Sequence, residues 1–340
     1  MATPTASLRD RSGRWLLLAT IGNLRLTQDV QGEIRLDRVT FLTASRFQRI
    51  HKRLGINRSE LRKSLHLERL VKGDQPLAMI CHTGDDKNCL DLLLRQIREE
   101  IDVLSFSQLL YCRRNQMAPL GLAGEAERGV NSHILLNLKA HTFTATQSKV
   151  GKANELTLDR HWKAFHKPLS FLRLVKIAQR RLPVKEDWRR ELLRAAQLIG
   201  KGINSYDLSS AFVWNMVALE VLLTRTNERQ SETLPERAEA LLGWISDWKT
   251  DGMTQRLKAA YQLRCRIVHD GLLNEVTASD VGFTDHILFN VLNNLVRHPR
   301  LFASKEHVIR FAELIAAEKL LGRKRTVRPK TLMYVKRRPA

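Results

Sequence analysis

The spacing of apolar residues changes near residue 160. Before it, they come in short runs that suit strands. Residues 14–26 (RWLLLATIGNLRL) and 32–42 (GEIRLDRVTFL) are β-prone with partial alternation. Ile34 and Leu36 alternate with Glu33, Arg35 and Asp37, and Val39 follows, which predicts one half-buried strand. Residues 77–82 (LAMICH) and 133–143 predict two further strands. Two helices are expected among them. One opens near Asn57-Arg58-Ser59 and runs through Leu61, Leu65, Leu67 and Leu70. The other spans 88–103, with Leu90, Leu93, Leu94, Ile97 and Ile101 on one face. Residues 104–112 fit either type.

From Asp187 onward the period becomes helical. Residues 188–201 place Leu192, Leu193, Ala196 and Ile199 inward, with Gly202 as the expected stop. Residues 205–224 carry a stripe of Leu208, Phe212, Met216, Leu219 and Leu223. Thr233-Leu234-Pro235-Glu236 predicts a helix start, because proline fits the first turn and an early acid suits the helix N-terminus; that helix runs to about Trp248. Residues 253–269 predict the next helix, ending at Asp270-Gly271, where glycine accepts a left-handed conformation. Residues 279–298 and 304–321 complete a set whose short connections imply antiparallel neighbours. The fold class read from this pattern is α+β: an N-terminal mixed domain over 1–160, a helical bundle over 161–322 and a tail over 323–340.

Charge sharpens the picture. The 340 residues carry a net charge of +22. Residues 1–150 hold a surplus of eight basic groups, 151–322 a surplus of six, and the tail a further eight with no acid among them. The tail residues are Arg323, Lys324, Arg325, Arg328, Lys330, Lys336, Arg337 and Arg338. A cation excess spread over the whole chain favours a polyanion, since each neutralised phosphate releases condensed counterions. The alternatives for the tail are a solvated arm or a short strand docked on the N-terminal half. Four cysteines without a regular framework point to a reducing cytoplasm, and no apolar run approaches a membrane span. No cofactor signature is present. Gly121-Leu122-Ala123-Gly124 lacks the Lys-Ser/Thr of a phosphate loop, and Cys81-His82 with Cys89 lacks the fourth ligand of a structural zinc site, so no metal is expected.

One segment combines these features: Tyr261 to Gly271, YQLRCRIVHDG. The Arg-x4-His spacing of Arg264 and His269 also occurs at Arg46/His51 and Arg128/His133, so spacing alone carries no weight. The context does: a late helical position, a hydrophobic frame of Leu263, Ile267 and Val268, and Ala218-Leu219-Glu220 one helix upstream. This order resembles the HEPN domains, most closely their Apea-like branch from prokaryotic defence proteins, over roughly residues 187–322. The resemblance implies a metal-independent endoribonuclease in a defence or toxin role that leaves a 2′,3′-cyclic phosphate. It also implies a homodimer in which two Arg/His pairs share a cleft.

The chemistry suits the residues. An imidazole titrating near neutrality can take the 2′-OH proton, and a guanidinium can stabilise charge on the phosphorane. In supporting roles, Glu220 orients Arg264 or is a solvated carboxylate, Tyr261 packs or supports the site, and Asp270 ends the helix or assists as an acid. Arg266 joins the tail as a nucleic-acid contact. The position after the motif arginine is usually polar in the family and here is Cys265. The alternative is therefore a HEPN-like module that binds RNA or dimerises without cutting. The N-terminal domain would take a regulatory protein or ligand.

Overall fold

A computed structural model describes residues 13–56, 75–84, 89–123, 130–137, 139, 142–149, 154–205, 207–242, 247–271, 275–322 and 332–336. The helix expected over 57–70 lies outside these residues. The chain has mixed α+β structure and divides into two compact units, residues 1–100 with 120–160, and residues 101–119 with 161–340.

The first unit is built on β1 (Gly13–Gly22), whose residues 15–22 are all buried. A run such as WLLLATI suits a strand flanked on both edges, and β1 occupies that place. With β2 (Leu24–Leu26), β3 (Glu33–Arg35), β4 (Thr40–Leu42), β5 (Leu77–Gly84), β6 (Gly121–Leu122), β7 (Val130–Asn137) and β8 (Thr142–Lys149) in chain order, the main sheet runs β3-β4-β5-β1-β7-β8, and β6 pairs with the end of β1. All its pairings are antiparallel, with Leu17 opposite Ile80 on β5 and Leu135 on β7. β2 pairs in parallel with β9 (Leu156–Leu158) in a separate two-stranded sheet. Leu16 and Leu18 point to the same face and pack with Leu42, Leu77, Ile56 and Phe47, the last from α1 (Ala44–Ile50).

Two predicted strands are hairpins instead. Residues 133–143 span the turn between β7 and β8. Residues 32–42 break into β3 and β4 because their turn is held from a distance. Glu100, on α2 (Cys89–Ser105), accepts the backbone N–H groups of Asp37, Arg38 and Val39 at 2.8–3.1 Å. Burial pushes the Glu100 carboxyl up to about 7, against the pull of these three donors. Protonation of this buried group favours the folded state. Its contribution is complete below the ordinary value of 4.5 and is lost as pH rises through about 7. Glu100→Gln should flatten that dependence. Urea unfolding should show the wild type losing about 2–3 kcal/mol relative to the variant between mildly acidic and mildly alkaline pH. A wild-type-to-variant difference that stays constant with pH would reject this account.

The second unit is helical. Its elements are α3 (Arg160–His166), α4 (Ser170–Ala178), α5 (Glu186–Asn204), α6 (Leu208–Leu223), α7 (Gln230–Leu242), α8 (Asp247–Thr250), α9 (Met253–Asp270), α10 (Ala278–Arg297) and α11 (Lys305–Leu320). α6, LSSAFVWNMVALEVLL, is apolar around most of its circumference and accordingly sits centrally, touching α5, α7, α9, α10 and α11. Thr277 and Asp280 form a capping box at α10, Ser304 caps α11, and Gly271 ends α9 at φ 69°.

Three sequence expectations change here. α5 does not stop at Gly202 but continues to Asn204, because Gly200 and Gly202 are close-packing positions rather than a terminus. α7 begins at Gln230, so Pro235 lies inside it rather than at its start. Residues 101–119 belong to the helical unit: Arg114 reaches Asp285 at 3.0 Å and the Gly202 carbonyl, while the Gln108 amide pairs with both backbone groups of Ala118. Among the described residues no helix is long and apolar enough to cross a membrane.

The C-terminal segment 332–336 is neither a solvated arm nor a strand on the first unit. It lies extended along α10. The Met333 and Val335 N–H groups donate to the side-chain oxygens of Asn294 and Asn290 at 3.0 and 2.7 Å. Four helical residues rise about 6 Å and two extended residues about 6.6 Å, so asparagines one turn apart match alternate residues of an extended chain. Both asparagines are fully buried.

Candidate functional site

α6 and α9 meet across the bundle, and each carries part of the site. α9 turns Leu257, Ala260, Leu263 and Ile267 into the core. The neighbouring stripe holds Tyr261, Arg264 and Cys265, all half-buried. Arg264 Nη2 donates to Glu220 Oε2 at 3.2 Å. Arg264 Nε also stands 3.2 Å from Glu220 Oε1, but outside hydrogen-bond alignment. The side chains are only 19% and 12% exposed, so the charges face each other in a largely dry interface. Burial raises the Glu220 carboxyl, and the adjacent guanidinium partly offsets this.

Tyr261 lies one turn before Cys265. Its hydroxyl donates to Gln230 Oε1 at 2.9 Å. Burial raises the phenol, with Cys265 and Glu220 adding to the effect. Nothing in the local sequence marks Gln230, at the start of α7, because its role depends on α7 crossing α9.

His269 sits on the last turn of α9, exposed, and makes no hydrogen bond or ion pair with another described residue. Five residues of helix separate it from Arg264 by about 140° of rotation. Arg264 is turned toward α6 and His269 toward solvent, so the fold of one chain does not bring them together. Val268 beside it is 51% exposed, a large apolar group left at the surface. Asp270 is exposed at the helix end. Arg266 is engaged by Glu275 at 2.7 Å, an exposed pair.

Of the tail residues, Arg323, Lys324, Arg325, Arg328, Lys330, Arg337 and Arg338 lie outside the described residues, whereas Lys336 is exposed on the docked segment. Among the described residues no group of three or more histidine, cysteine, aspartate or glutamate side chains is placed to hold a metal ion. No family model, curated protein or solved structure matches the chain.

Proposed function

We propose that the helical unit is a HEPN-like bundle acting on RNA, with Arg264 and His269 as the reacting pair of a metal-independent endoribonuclease. The observation that carries this reading is the fixed Arg264 guanidinium. A carboxylate that only neutralised an arginine would suit a surface, where such pairs contribute little. Here Glu220 restrains Arg264 at a half-buried position on the motif helix. A preorganised cation of this kind suits stabilisation of a developing phosphorane. His269, reached from solvent, suits the general base. Because one chain holds the two apart, the cleft would need a second copy to supply its own histidine. A homodimer through the helical unit, with Val268 in or beside the interface, is part of the proposal. The net charge of +22 suits the polyanionic substrate.

Purified protein incubated with mixed RNA in EDTA should yield 2′,3′-cyclic phosphate ends. His269→Ala should slow cleavage by about 10²–10⁴-fold without changing thermal stability. Arg264→Ala should abolish cleavage and also lower stability, because it leaves Glu220 half-buried without its cation. Equal and undetectable cleavage by wild type and His269→Ala would reject catalysis.

A second reading rests on His269 lacking any positioning partner among the described residues and on the thiol of Cys265 in place of a polar group. It makes the unit an RNA-binding module, and RNA affinity then survives His269→Ala while falling steeply with salt.

A further inference from the structure

Apart from the Arg264 pair, the helical unit holds a pocket of about 370 Å³. Its walls come from the corner between α8 and α9, the first turns of α10 and the docked C-terminal segment. That volume lies within the range of small-ligand sites.

Arg256 of α9 lies with its guanidinium 4.3 Å from the centre of the Phe283 ring on α10. This stacking holds the guanidinium plane without consuming its N–H groups. Arg114, Arg189, Arg237 and Arg264 each face a carboxylate, whereas Arg256 has none within ion-pair distance among the described residues.

Tyr334 also lines the pocket and stands against His286 with ring centroids 4.9 Å apart, and Lys336 follows it. Both are placed by the Asn290 and Asn294 bonds to the extended segment. Trp248, almost fully buried, closes the floor of the pocket, its indole N–H already donated to Thr254.

The pocket therefore offers aromatic surface together with the Arg256 guanidinium, with Lys336 at its edge. Asp251 and Ser279 also line it. An aromatic carboxylate would satisfy the rings and cations but bring no donor for Asp251. A nucleotide supplies all three: a planar base, an anionic phosphate, and the hydroxyl or amino donors of ribose and base.

We propose that this pocket binds one nucleotide unit, with its base against Tyr334 and its phosphate on Arg256. The unit is either a free mononucleotide or one residue of a single-stranded RNA. The site stands independently of cleavage at Arg264.

Calorimetric titration of the full chain tests it, using the four ribonucleoside monophosphates, a single-stranded hexaribonucleotide, and inorganic phosphate and free nucleosides as partial ligands. At least one monophosphate should bind about tenfold or more tighter than phosphate or its nucleoside. Arg256→Gln and Tyr334→Leu should each weaken it by a similar factor with thermal stability retained, and His269→Ala should leave it unchanged. Tight binding of the hexanucleotide alone, lost in both pocket variants, supports the strand as the source. Absence of binding by both ligand types overturns the proposal, as does binding that neither pocket variant weakens.

Discussion

Gly200→Ala is expected to destabilise the helical unit by about 3 kcal/mol or more. An alanine Cβ at this position would lie 1.8 Å from the backbone oxygen of Asp102 and 2.4 Å from its carbonyl carbon. The obstacle is main chain, so no rotamer change relieves it. α5 would have to lift from residues 101–119. That movement also breaks the bonds from Asn204 to Asp102 and Ser105, at 3.0 and 3.1 Å. On an isolated helix the same substitution would stabilise by about 1 kcal/mol, so the sign of the effect reports the packing. Gly202→Ala is the matched comparison: its Cβ would meet the Ala211 oxygen at 3.1 Å, a contact that a small shift absorbs. Chemical denaturation followed by circular dichroism measures both. A Gly200→Ala protein as stable as wild type would show that α5 does not approach Asp102 this closely.

Acid should weaken the same unit through His166, and His166→Phe should remove most of that sensitivity. The imidazole is 1% exposed and ringed by Trp162, Phe165, Phe171 and Tyr111, with centroids 4.7–5.9 Å away. Neither ring nitrogen has a well-formed hydrogen bond, and the nearby Ser107 backbone opposes the effect of burial without overcoming it. Burial therefore lowers the imidazole from 6.5 to about 3.

The unfolded chain takes up this proton as pH falls below 6.5, while the folded chain resists it until about pH 3. The stabilisation is thus complete above 6.5 and is lost progressively across that window, approaching about 4–5 kcal/mol at its acid end. Phenylalanine fits the aromatic surroundings and carries no proton. The unfolding midpoint of the wild type should fall relative to that of His166→Phe as pH drops from neutrality toward about 4.5. Parallel curves would refute the assignment. This dependence runs opposite to that of Glu100, whose contribution is lost as pH rises, so the two are separable by direction as well as by variant.

The hydrophobic period carried much of the architecture. WLLLATI marks a β-prone run, and the helical stripes from Asp187 onward locate α5, α6, α9, α10 and α11 to within a few residues. These signals are legible because each depends on neighbours three or four residues away, or two in a strand, all within one segment. The helix exit at Gly271 is local for the same reason.

The misreadings have the opposite character. The hairpin of β3 and β4 is indistinguishable from one strand in sequence because its turn is stabilised by Glu100, 61 residues from Val39. Gly202 was read as a terminus because a glycine that ends a helix and one that admits a neighbouring backbone are identical in sequence. The roles of Asn294 and Asn290 on α10 leave no local signal, since their partners lie 39 and 45 residues away. His166, one of eleven histidines, differs from His269 only in what surrounds it.

For the candidate site, the sequence by itself determined that Arg264 and His269 share one helix, that Glu220 precedes them by one intervening helix, and that the whole chain is strongly cationic. Only the tertiary structure decided that Glu220 and Arg264 meet in a largely dry interface while His269 stays in solvent. Helical rotation separates the motif residues on a single chain, and the crossing of α6 with α9 selects which of them acquires a partner.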